Sequence, residues 1–175
     1  MVSKQLTIVI PTYNEGKYIA RTLYAIASQS GTHKIKIIIA DAKSTDNTRT
    51  LAEVNGFELG LNLKVIDGGL PAVGRNAGAK LATTHYILFL DADVTFTHKY
   101  AIKEALDEMI SGKYEMLGTT PVYKGEFDIR ASIMFGLNKY VTWLLSKIYV
   151  MSIMTKRTEN GLGWRLDFYE GWDGR

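Results

Sequence analysis

The chain reads as an α/β fold, a mostly parallel sheet flanked by helices, and three observations predict it. Apolar runs of strand length alternate with segments of helical period. The run from Tyr86 to Leu90 is continuously apolar, as a strand covered on both faces requires. The early runs end on polar clusters, which a parallel sheet would gather along its carboxyl edge.

The first strand is expected over Leu6 to Ile10, closed by Pro11. A helix follows, with Ile19, Leu23 and Ile26 recurring on one face. The second strand covers Ile35 to Ala40 and ends at Asp41, after which Ser44-Thr45-Asp46 offers caps for a helix through the fifties. A third strand, Leu63 to Ile66, leads through the Gly68-Gly69 turn to a helix from about Val73 to Leu81. The run from Tyr86 to Leu90 stops at Asp91, and a helix over Ala101 to Ile110 and a strand over Glu115 to Gly118 come after it.

Size and charge narrow the function. A chain of 175 residues, 46% hydrophobic, holds one domain with a real core and no second large one. With 21 Lys and Arg against 18 Asp and Glu, the net charge of +3 does not point to nucleic acid as a partner. There is no Cys, so disulfides, thiolate zinc sites and Cys nucleophiles are excluded, and a reducing compartment is permitted. The opening MVSKQLTIVIPTYNE has only a short apolar run before Pro and an acid, unlike a signal peptide, and a cytoplasmic location is expected.

The division expected is a core over 1–125 and a smaller region over 126–175. From Ile129 to Thr158 there are five basic residues and no acidic one. Drawn as a helix, this segment gathers Ile133, Leu137, Tyr140, Val141, Leu144 and Ile148 on one face, with Lys139 opposite. Lys139 and Lys147 interrupt it too often for a spanning helix, which leaves core packing or an in-plane contact with the inner membrane surface.

Three polar clusters converge on the carboxyl edge: Pro11 to Glu15, Asp41, and Asp91-Ala92-Asp93. Two carboxylates one residue apart at the tip of a buried strand are hard oxygen donors suited to Mg2+ or Mn2+, and such an ion bridges phosphates. The plainer alternative is that the pair opens a loop or caps the next helix.

The stretches TIVIPTYNEGKYIARTLYAIASQS, IIIADAKSTDNT and GRNAGAKLATTHYILFLDADV, in that order and spacing, closely resemble the family 2 glycosyltransferases over roughly residues 6 to 95. The resemblance implies a Rossmann-like GT-A nucleotide-sugar-binding domain and an inverting, metal-assisted transfer from a nucleoside diphosphate sugar. By similarity Pro11, Tyr13 and Glu15 flank base and ribose with Asp41 nearby. Arg75 contacts the donor diphosphate or base, Asp91 meets the ribose or the metal, and Asp93 holds the metal. The acceptor is a hydroxyl, or a lipid-linked phosphate if the cationic segment lies on a bilayer.

This chain departs from the family in places. Many members carry two consecutive acids where this one has Asp41-Ala42-Lys43, no Glu-Asp pair follows Asp93, and the Gln-x-x-Arg-Trp element of processive synthases is absent. The base that accepts the acceptor proton is therefore sought at Glu170, with Asp173 and Asp167 behind it. The chain also ends early for this family, which motivates a second reading, a nucleotide-sugar-binding module without turnover. A third reading takes ILFLDADVT as the start of a haloacid dehalogenase-like phosphatase with Asp91 as nucleophile.

Overall fold

The computed structural model describes residues 6–31, 35–113, 116–118, 153–158 and 161–162. Strands β1 (Leu6–Thr12), β2 (Lys36–Asp41), β3 (Asn62–Asp67) and β4 (Tyr86–Phe89) alternate with helices α1 (Ile19–Ala27), α2 (Thr48–Glu58) and α3 (Pro71–Leu81). Helix α4 (Ala101–Ser111) follows, then β5 (Met116–Gly118), β6 (Ile153–Thr158) and β7 (Gly161–Leu162). The strand order is β3-β2-β1-β4-β6-β5, with β7 paired to β6. Strands β1 to β4 are mutually parallel, whereas β6 runs antiparallel to both β4 and β5. The chain thus steps outward from β1 to β3 and returns to the other side of β1 for β4. The crevice for a ligand in such a sheet lies at this reversal, outside the carboxyl ends of the strands.

Register sorts the aliphatic residues onto two faces. Ile8 lies opposite Ile37 and Leu88, so Leu6, Ile8, Ile10, Ile37, Ile39, Leu88 and Leu90 share one face. That face buries Ile19, Leu23 and Ile26 of α1, Ala52 of α2, and Ile102, Leu106 and Met109 of α4. The other carries Val9, Ile38, Ile87 and Phe89 against Ala79 at the end of α3 and Ala82 just beyond it. Pro71 opens α3 with its ring φ already helical, and Leu70 before it is extended, as a residue preceding proline prefers.

Helix α3 packs unusually close through glycine. A Cβ on Gly78 would stand 2.4 Å from Cγ1 of Val9, and one on Gly74 would touch Cβ of Pro11 and of Ala40 at 3.4 Å. That contact brings the first turns of α3, and Arg75 with them, over the carboxyl ends of β1 and β2.

Several expectations change. Pro11 does not end β1, which continues to Thr12. Val9 O accepts from Leu90 N and Thr12 O from Ala42 N, so by alternation the nitrogen of Pro11 faces the β4 side, beyond the last β4 residue in register. No N–H is needed there. The entry to α2 also differs: Asn47 is its N-cap without a side-chain cap bond, while Asp46 Oδ1 accepts from Thr48 N. The end of the cationic segment, Ile153–Thr158, is strand β6, paired with β4 in the sheet. The rest of the expected amphipathic helix, including its apolar face up to Ile148, lies outside the described residues. Among the described residues no helix is long and apolar enough to cross a membrane.

Candidate functional site

The site is built from three loops at the carboxyl edge, and two of them are hydrogen-bonded to each other. After β1, Asn14 takes a left-handed φ of 55°, and after β2, Lys43 takes 59°. In the first loop, Asn14 N donates to Ser44 Oγ at 2.9 Å, and Asn14 Oδ1 accepts from Thr45 N at 2.9 Å. Glu15 N donates to Thr48 Oγ1 at 2.7 Å and Gly16 N to Asp46 Oδ2 at 3.0 Å. The approach is so close that a Cβ on Gly16 would fall 2.2 Å from Asn47 Oδ1. Only glycine fits.

Asp41 holds this junction from below. It is 1% exposed. Its Oδ1 accepts from Thr12 Oγ1 at 3.1 Å and from Ser44 Oγ at 2.6 Å, and its Oδ2 from Ser44 N at 3.1 Å. The sequence pointed to Asp41 as a neighbour of the nucleotide. The structure puts it at the right edge, with both oxygens engaged by the loop it supports.

The third loop is the acid turn after β4. Arg75 Nη2 donates to Asp91 Oδ1 at 2.5 Å, with the two side chains 16% and 27% exposed. Burial pushes the Asp91 carboxyl above its ordinary range, the Arg75 guanidinium opposes that, and neighbouring Asp93 adds to the rise. Asp93 itself is exposed. Glu15 is half-buried and also raised, first by burial and then by the charges of Asp93, Asp46 and Asp91. These acids of all three loops therefore share one field, in which Arg75 directly neutralises Asp91 alone.

Tyr13 is 60% exposed at the edge, so it is not a core aromatic, and its ring is free to meet a planar ligand. Pro11 is half-buried against Gly74 and serves the α3 contact. The structure thus brings Pro11, Tyr13, Glu15, Asp41, Arg75, Asp91 and Asp93 to one edge. Glu170, Asp167 and Asp173 lie outside the described residues.

Residues not singled out from sequence complete the site. Thr22 Oγ1 donates to Ala92 O at 2.5 Å, and Arg21 Nη2 to Asp93 O at 3.2 Å. Gln29 Nε2 donates to His98 O at 2.9 Å. A signal existed for Thr22: it sits beside Leu23 on the apolar face of α1, where a polar side chain needs a partner.

Asp91 and Asp93 are the hard donors at this edge, and among the described residues no group of three or more acids or histidines converges as a metal cage. Two carboxylates in an acidic field suit a dication that takes its remaining ligands from phosphate and water, the habit of Mg2+ and of Mn2+ in similar sites. The residues fit that group.

Residues 7–165 match the profile described as Glycosyl transferase family 2. The chain belongs to glycosyl transferase family 2. This family 2 chain is 30% identical over 125 residues to the poly(ribitol-phosphate) beta-N-acetylglucosaminyltransferase TarP of Staphylococcus aureus, covering 66% of the chain and 38% of TarP. It is 33% identical over 106 residues to TarS of the same species, covering 58% of the chain and 18% of TarS. The crystal structure of TarS 1–349 in complex with UDP superposes with a TM-score of 0.59 at 26% identity, over 71% of this chain and 38% of that one. The Pyrobaculum calidifontis mannosyltransferase PcManGT, in complex with GDP-Man and Mn2+, shares the fold with a TM-score of 0.69 at 18% identity, over 87% and 44% of the two chains. The chain spans at most 38% of the length of the two relatives named. Family membership confirms the resemblance read from the motifs and sets aside the phosphatase reading of β4.

Proposed function

We propose that this chain carries the donor site of a glycosyltransferase that moves a sugar from a nucleoside diphosphate sugar to an acceptor hydroxyl or lipid phosphate, with inversion. The single observation that carries the reading is the Arg75–Asp91 pair at the switch point, with Asp93 exposed beside it and Glu15 in the same field. Tyr13 packs on the base, Glu15 and Asp91 approach the ribose, and Arg75 directs its planar fork toward the diphosphate. Asp41 acts through the loops it ties together. Asp93, with Asp91, would hold Mn2+ or Mg2+, whose Lewis acidity stabilises the negative charge that develops on a departing diphosphate.

In the transfer, the acceptor oxygen forms a bond to the anomeric carbon while the bond from that carbon to the diphosphate oxygen breaks. The hydroxyl proton passes to a carboxylate, for which Glu170 is the candidate; a phosphate acceptor needs no base. A uridine diphosphate sugar is the first donor to test, because TarS, 28% identical over the superposed region, is known in complex with UDP-GlcNAc. Peripheral contact of the cationic segment ahead of β6, residues 129–152, with the inner membrane surface belongs to the same reading. Salt-sensitive co-sedimentation with anionic vesicles supports that contact, and its absence removes it.

Calorimetric titration of UDP with and without Mn2+ tests the site. The expected result is binding that Mn2+ strengthens, with the strengthening reduced about a hundredfold in Asp93→Ala. Mn2+-dependent UDP binding that survives in Asp93→Ala overturns the assignment. A second reading, a donor-binding module without turnover, is motivated by the lack of a Glu-Asp pair after Asp93 in this sequence. Release of UDP from UDP-GlcNAc with transfer to an acceptor excludes it.

A further inference from the structure

The acid turn is fixed less by its own sequence than by α1, which lies some 70 residues earlier in the chain. Ala92, between the two acids, is 4% exposed, and its side chain joins the core cluster with Leu23 and Ile26. Its carbonyl accepts the 2.5 Å bond from Thr22, which is fully buried. A helical threonine commonly returns its hydroxyl to a carbonyl of its own helix. This one bridges to the loop. One residue earlier on α1, Arg21 reaches the next carbonyl, that of Asp93. Further along, Gln29 ties the end of the same loop, donating to His98 O and accepting from Ile102 N. Two consecutive peptide planes of the turn are thereby pinned, which sets the direction in which the Asp93 side chain leaves the backbone.

We propose that Thr22 is the positioning residue of the acid turn: its hydroxyl anchors the Ala92 carbonyl so that Asp93 is presented in ligating geometry, with Arg21 steadying the following carbonyl. The inference rests on the reading of Asp93 as a cation ligand and adds a residue that touches neither cation nor donor. It predicts that loss of the hydroxyl degrades cation affinity even in protein that remains folded. A merely structural threonine would lower stability and leave that affinity alone.

The test uses the whole chain as Thr22→Val, Thr22→Ser and Arg21→Met. Without any ligand, the Val94 amide, which closes the turn by donating to Asp91 O at 3.3 Å, reports turn order by hydrogen exchange. Its exchange should rise about tenfold in Thr22→Val relative to the Ile38 amide in the sheet centre, and stay within about twofold of wild type in Thr22→Ser. Mn2+ affinity in the presence of UDP should fall about tenfold in Thr22→Val, recover in Thr22→Ser, and fall about threefold in Arg21→Met. Unchanged relative exchange at Val94, or unchanged Mn2+ affinity in folded Thr22→Val, overturns the proposal. Should Thr22→Val not fold, the exposed Arg21→Met variant decides: unchanged Mn2+ affinity there overturns it. If wild-type protein binds UDP but no Mn2+, the ligand reading of Asp93 is what fails. In that case Thr22 loses its proposed role even where exchange shows the anchor.

Discussion

The two faces of the sheet do different work. One is covered by α1, α2 and α4 over a continuous aliphatic layer, in which Leu6, Ile8, Ile10, Ile37, Ile39 and Leu90 are each less than 2% exposed. The other is covered around Val9 and Ile38 by α3, whose contact runs through Gly74, Gly78 and Ala79 and contributes far less apolar bulk. Bulk packing supplies stability in proportion to the area it removes from water. Contact through glycine supplies proximity instead, and here the element drawn close carries Arg75. The thick face stabilises the sheet, and the thin face places the guanidinium.

That division can be broken by mutation. The largest effect is expected at Ile37, fully buried in the thick layer, where Ile37→Ala should cost about 3 to 4 kcal/mol in urea unfolding while folded protein keeps its UDP affinity. Gly78→Ala should cost less, about 1 to 3 kcal/mol, yet weaken UDP binding severalfold, because α3 must back away from Val9. Unchanged UDP affinity in Gly78→Ala would show that the thin face does not position Arg75. Arg75→Lys keeps the charge and loses the planar fork, so UDP affinity should fall about tenfold with little change in thermal midpoint.

The smallest effect is one of pH. The Glu15 carboxyl is raised in the folded chain, so its contribution to stability is present below its ordinary value of 4.5 and is lost as pH rises through the folded value. At pH 7 and without ligand the ionised group opposes folding. Glu15→Gln should therefore raise the thermal midpoint by about 1 to 3 °C at pH 7, and the gain should vanish below pH 4.5. A gain that persists at low pH would assign the effect to packing instead of charge.

Much of this was legible in the residues. Strands β1, β2 and β4 announce themselves as apolar runs because both of their faces are covered, and Asp91 reaches the edge because its strand stops there. The pairing order was not legible, since β1 meets β4 only through contacts about 80 residues apart in sequence. Strand β6 was hidden for a similar reason: Ile-Met-Thr-Lys-Arg-Thr carries no clean alternation, and its partners β4 and β5 lie far upstream. Asp41 was recognised as important, but a carboxylate that meets a ligand and one that ties two loops look alike in a sequence. Proline lacks a donor and so resembles a strand terminator in the sequence, and only the register shows that β4 has no residue left to receive a bond from Pro11.

Gly16 carries a last consequence. The loops after β1 and β2 touch closely at that residue and are tied to each other by their own hydrogen bonds. A visitor entering between them has few wall segments left to freeze, so the ordering cost of capture is small and encounter resembles docking onto a rigid body. Lengthening that junction would loosen the rim, and the loss would be felt as a less favourable entropy of capture, with its heat little changed, before any contact with the guest had changed.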